Sequence, residues 1–299
     1  MEAELDRMIL VGDNPFHGIS HFSEKRARAR AKKIGSVEYA SELVVTSIQN
    51  GANGFMFSVS DTTLSILRLV CEKVENQQLT LHAIVPYAYE YVRLATHLGT
   101  VGLGKKLVKR ILMSFNPKAI VTGVKSVVNM DPEALMKTYL YYEISRIRSS
   151  IRKEHKLTSV LLHEVITDMI IALDLEWLVK SYIHFLSGLG FKPGFETRNF
   201  PFLIKKFREW NIAFSDLELV SSFNKIGFQM NPSKTVCEET LAEIPECSII
   251  AMSILAAGYI NLNDAADYIK NLPNLKGVVV GVSKEKHANE TFSYLKKVI

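Results

Sequence analysis

The chain has 299 residues, 47% of them apolar and 22% charged, with a formal net charge of +5 at pH 7. That apolar content excludes disorder and supports a sizeable core, and the length suits one large barrel domain or two ordinary ones. With 16 glycines and 9 prolines, the chain is neither collagen-like nor of low complexity.

Short apolar runs alternate with stretches of helical period along the chain. Strands are predicted at Met8–Val11, Gly54–Val59, Leu79–Val85, Ser159–His163, Pro193–Glu196, Gly227–Met230, Ser248–Met252 and Gly277–Val280. Helices are predicted between them, among others at Val37–Gln49, Pro132–Ile151, Ile170–Leu186 and Pro201–Trp210. Asp131-Pro132-Glu133 has the order of an N-cap, a first-turn proline and an early carboxylate. Asn199-Phe200-Pro201 is less regular, because a phenylalanine separates the capping side chain from the proline.

Such alternation favours a parallel sheet. Eight strands, with no glycine-rich fingerprint after the first, predict an α/β fold: one (β/α)8 TIM barrel over residues 1–299 rather than a doubly wound sheet. Residues 87–129 are too long for one βα connection and are expected to form a helical insertion, a lid over the mouth, between strands 3 and 4.

Three cysteines, Cys71, Cys237 and Cys247, are widely spaced without a CxxC pattern, which points to a reducing cytoplasm. Met1-Glu2-Ala3-Glu4-Leu5-Asp6 does not read as a signal peptide, and the longest apolar stretch, Cys247 to Ile260, is too short to span a bilayer, so no membrane role is expected. Basic residues cluster in three runs: Lys25 to Lys33, Lys105 to Arg110, and Arg146 to Lys156. Without an aromatic ladder they read as solvated helix faces, and RNA or protein binding by a non-catalytic barrel is the lesser alternative. Gly99-Thr100-Val101-Gly102-Leu103-Gly104-Lys105-Lys106 nearly spells a P-loop but lacks the final Ser or Thr, so it reads as a turn or a hinge whose lysines could meet a phosphate.

A TIM barrel carries its chemistry at the C-terminal strand ends. His163-Glu164 ends strand 4, where an imidazole beside a carboxylate can move protons or bind a metal, or can simply edge the core. Asp13, Asn14, His17 and His21 follow strand 1, Ser60 and Asp61 strand 2, Tyr87 and Tyr89 strand 3, and Gln229, Asn231 and Lys234 the predicted strand 6. Glu196 and Arg198 follow strand 5, as a rim salt bridge or as catalytic groups. Asp13, His17, His163, Glu164 and Glu196 together offer donors for a divalent metal, with His17, His163, Glu164 and Glu196 the candidate ligands.

Leu161-Leu162-His163, Ser253-Ile254-Leu255-Ala256-Ala257-Gly258 and Gly281-Val282-Ser283-Lys284-Glu285-Lys286-His287 follow one another in the order and spacing of the aldo-keto reductases. From Ser159 onward the chain resembles that family. The resemblance implies a barrel enzyme with NADP as cofactor, held through Ser253, Gly281, Ser283, Lys284 and His287, acting on a carbonyl substrate with His163 in the catalytic set and Asp61 as a loose substitute for the family aspartate. The family's tyrosine and lysine have no counterpart after Ser58-Val59-Ser60 or after Ile84-Val85-Pro86. The expectation is therefore a small-molecule enzyme acting on a phosphate-bearing or carbonyl compound. It would be either an NAD(P)-dependent carbonyl reductase or a metal-assisted lyase, isomerase or hydrolase.

Overall fold

A computed structural model describes residues 7–17, 36–74, 77–87, 131–244 and 247–299. Its eight strands are β1 (Met8–Gly12), β2 (Gly54–Ser58), β3 (Thr80–Val85), β4 (Lys156–Leu162), β5 (Lys192–Thr197), β6 (Glu218–Ser222), β7 (Ser248–Met252) and β8 (Leu275–Gly281). They pair in sequence order, all parallel, and β8 closes onto β1 with Met8 opposite Gly277 and Gly12 opposite Gly281. The fold is a (β/α)8 TIM barrel.

The described helices are α1 (Val37–Gln49), α2 (Asp61–Lys73), α3 (Pro132–Arg148), α4 (Glu164–Ala172), α5 (Glu176–Gly188), α6 (Phe200–Glu209), α7 (Lys234–Glu243), α8 (Leu262–Lys270) and α9 (Glu285–Val298). No described helix is long and apolar enough to cross a membrane. Local chemistry sets their ends as the sequence implied. Asp131 caps α3 by accepting from the Glu133 N–H at 3.0 Å. Asn199 precedes α6 but makes no cap bond, because its side-chain amide donates to Asp168 instead.

The period of two along each strand sorts side chains into an outer set, packed under the helices, and an inner set stacked in layers. The middle layer is apolar: Leu10, Met56, Ile84, Leu161, Val220 and Ile250 fill the barrel. The layer below is not. His82, Ser159 and Glu218 meet there, fully buried, with His82 Nδ1 2.7 Å from Glu218 Oε1 and the Ser159 hydroxyl donating to the same oxygen at 2.5 Å. Burial works to raise the Glu218 carboxyl, but the His82 ring and the two hydrogen bonds outweigh it and hold the group below the usual carboxylate range.

Two expected elements differ. The predicted sixth strand, Gly227–Met230, is a turn: Gly227 and Gln229 have positive φ of 75° and 59°, and both amide atoms of Asn224 bond the backbone of Phe228. Strand 6 is Glu218–Ser222, so Gln229, Asn231 and Lys234 do not stand at a strand end. The single helix expected over Ile170–Leu186 is two, broken where Asp174 takes a positive φ of 58° and the Leu175 N–H turns back to the Ile170 carbonyl. The insertion expected over 87–129 lies, from residue 88 on, outside the described residues, as do His21, Tyr89 and the glycine-lysine segment at 99–106.

The buried trio should bear on stability. Removing Glu218 leaves the buried His82 ring and Ser159 hydroxyl without their shared acceptor, and each buried polar group so stranded costs about 1–3 kcal/mol. Glu218→Ala should therefore lower the unfolding free energy in urea by an amount of that order, while Glu42→Ala, which removes the surface partner of Lys73, should stay within about 0.5 kcal/mol. Equal effects of the two substitutions would contradict this packing.

Candidate active site

The C-terminal ends of the strands surround a cavity of about 460 Å³. Its polar side is built by β1, β4 and β5. Asp13, directly after β1, is buried and its Oδ2 accepts from the Ser58 N–H at 2.8 Å, while His17 Nε2 lies 2.9 Å from the same oxygen. His17 is further fixed by the Thr63 hydroxyl at 3.0 Å and by the Tyr87 ring at 4.7 Å between centroids.

His163 leaves β4 as the N-cap of α4. Its Nδ1 accepts from the Val165 N–H at 3.2 Å, so in the neutral ring the proton sits on Nε2. Burial, the largest effect, and the nearby Arg198 guanidinium pull its pKa below the usual value against Glu164 and Asp13. The ring is therefore a neutral N–H donor at pH 7.

Glu164 opens α4 and takes the Arg198 Nε at 2.6 Å, and its backbone N–H donates to Glu196 Oε2 at 3.3 Å. Glu196, near the end of β5, is buried, and among the described residues no cation forms an ion pair with it. Burial first, and then the repulsion of Glu164, push its pKa up to about 8, against the weaker help of the Glu164 N–H and Arg198. Glu196 thus keeps its proton near neutral pH. The β5 exit that carries it is pinned by Asp168, one helical turn beyond Glu164, which accepts from the Thr197 hydroxyl, the Arg198 N–H and the Asn199 amide.

The opposite wall, from β7, β8 and the turns that follow, is largely apolar, with Met252, Ile254, Leu255, Ile260, Leu262 and Val282 lining it. Ser253, Gly281, Ser283 and His287 line it as well, with Glu290 at the rim.

The sequence-derived candidates divide accordingly. Asp13, His163, Glu164 and Glu196 come together, and Ser253, Gly281, Ser283 and His287 face them across the cavity. Asp61 does not join them: it starts α2 with its side chain 77% exposed and pairs with Arg146. Lys284 is exposed at the N-cap of α9 and is not among the residues lining the cavity. The expected Glu196–Arg198 pair is instead Glu164–Arg198. His17 bonds Asp13 and Thr63, and among the described residues no three His, Cys, Asp or Glu side chains are placed to hold a metal ion. Ser58, Asp168 and Leu262 escaped the sequence reading, although the i, i+4 spacing of Glu164 and Asp168 on one helix face signals two carboxylates aimed at the next strand.

No family model and no curated protein matches the chain. Two solved structures described as a putative aldo-keto reductase from Pseudomonas aeruginosa each superpose with a TM-score of 0.55 at 12% identity, covering 97% of this chain and about 90% of theirs (90% and 89%). A D-allulose 3-epimerase from Methylomonas sp. covers 98% of the chain at 9% identity, with a TM-score of 0.45. What this chain shares with the reductase structures is the fold.

The state of Glu196 has a thermodynamic signature. Between the ordinary value of 4.5 and about 8, the folded protein holds a proton that the unfolded chain has released, so this group's contribution to stability falls as pH rises through that window and levels off above it. Glu196→Gln stays neutral throughout. Its melting temperature relative to the wild type should climb from pH 5 to pH 8, and a difference independent of pH would contradict the assignment.

Proposed function

We infer that the barrel mouth is the active site of an enzyme that moves a proton on a small carbonyl- or hydroxyl-bearing molecule, as an isomerase or lyase. The observation that carries this reading is the corner of Glu164 and Glu196: two carboxyl groups at adjacent strand ends, one held as an ion pair by Arg198, the other kept protonated by burial. Groups whose environments drive their proton affinities apart are suited to acid and base roles. Glu196 is assigned as the acid, Glu164 as the carboxylate that takes up a proton, and the neutral His163 Nε2–H as the donor to the oxygen on which charge develops.

The reductase alternative draws on the shared barrel and on the strand 7 and strand 8 ends. The residues present do not fit its cofactor. Among the described residues lining the cavity there is no lysine, and the one arginine is committed to Glu164, so the NADP phosphate has no cationic partner there. The metal-assisted alternative likewise finds no described three-donor set. No step is assigned to either group.

The test is solvent exchange. Incubated in deuterium oxide with a panel of hydroxyketones and hydroxyaldehydes, the protein should place deuterium on the carbon beside the carbonyl of its substrate, followed by NMR. Glu196→Gln, and His163→Asn, which can still cap α4, should each slow the exchange by about 10²–10⁴-fold with the fold intact. NADPH oxidation by the same panel, unchanged in Glu196→Gln, would overturn the reading in favour of hydride transfer.

A further inference from the structure

The β7–β8 side of the cavity is where the resemblance places a phosphate, and its β7 portion is committed otherwise. The loop after β7 turns its amides onto its own carbonyls: Ala256 N–H to Ser253 at 2.8 Å, Gly258 N–H to Leu255 at 2.7 Å, and Ile260 N–H to Leu255 at 3.3 Å. Gly281 lacks a Cβ because one would sit 2.7 Å from Cδ of Pro15, so the close approach serves the β1 exit loop and not a ligand. Charge points the same way. Glu290 stands exposed at this rim with the Lys286 ammonium 3.6 Å from its carboxylate, Asp13 and Glu164 face it across the cavity, and Arg198 is already held by Glu164.

From this wall we propose that the mouth takes an uncharged or cationic molecule in which a carbonyl or hydroxyl is joined to an apolar body, and that Ile254, Leu255, Ile260 and Leu262 seat that body. The proposal rests on the proton-transfer reading only for which end of the ligand faces Glu196 and His163. Burying an aromatic ring or a short branched chain against this wall supplies the driving force at about 25 cal/mol per Å² of apolar surface. A phosphate in the same place would lose its water to face Asp13 and Glu164, while Lys284 and Lys286 at the start of α9 are not among the residues lining the cavity.

The discriminating experiment is binding, read by calorimetry or ligand-observed NMR on the wild type and on Glu196→Gln, so that turnover does not enter. Three probes serve: 2-hydroxyacetophenone, dihydroxyacetone phosphate and inorganic phosphate. The hydroxyketone with the ring should bind at least tenfold tighter than either phosphate. Leu262→Glu should weaken it tenfold or more with little change in melting temperature, because Leu262 is only partly buried at the start of α8. Glu290→Lys should improve the phosphates and leave the ring compound alone. Equal or tighter binding of either phosphate by the wild type would overturn the proposal. Deuterium exchange on the same probes separates the two readings: a preference for phosphate combined with Glu196-dependent exchange removes the ligand assignment alone, whereas the ring preference without exchange removes the chemistry and leaves the ligand class.

Discussion

Two carboxyl groups crowded into one buried corner organise this mouth. Glu164 and Glu196 come from the ends of neighbouring strands and share a buried corner with one guanidinium, which binds Glu164. The second carboxyl is left with a backbone N–H at 3.3 Å and little water, so its neutral form is the stable one. Much around them serves to hold that asymmetry. Asp168 pins the β5 exit so that Arg198 reaches Glu164 and not Glu196, and the Val165 N–H fixes the tautomer of His163. The apolar middle layer below seals the corner from beneath.

The barrel was legible because its strands are buried on both faces and read as plain apolar runs, as at Ser248–Met252 and in Phe55-Met56-Phe57. The failure at strand 6 has a physical cause. Glu218-Leu219-Val220-Ser221-Ser222 carries a glutamate into the barrel, and only His82 and Ser159, distant in sequence, make that burial tolerable. Gly227-Phe228-Gln229-Met230, by contrast, has the look of a strand and folds as a turn around Asn224. At the site, strand-end position located Asp13, His163, Glu164 and Glu196. Partner choice was not legible: Arg198 is two residues from Glu196, yet the strand turns its side chain to the helix after β4. Asp61 followed its strand correctly and still points outward, because as the first residue of α2 it faces Arg146.

The likeness to a reductase barrel fits this division between scaffold and site. A TIM barrel holds any set of strand-end residues over the same packed interior, so a shared fold constrains where chemistry occurs and not which chemistry. Here a histidine follows β4, and the cavity has an apolar wall at β7 and β8 and an acidic corner at β4 and β5. The three buried cysteines take no part: burial lifts Cys71 and Cys237 to about 11 and Cys247 to about 12, too high to form thiolates at neutral pH.

The protonation of Glu196 is the claim on which the account stands, and it can be read directly. Carbon-13 NMR of protein labelled at the glutamate carboxyl carbons, with Glu196→Gln supplying the assignment, follows that one group through a pH titration. The account predicts a resonance that stays in its protonated position through neutral pH and moves with a midpoint near 8. A midpoint near the ordinary glutamate value of 4.5 would mean that Glu196 is charged at pH 7, and would contradict the assignment of this corner as an acid beside a base.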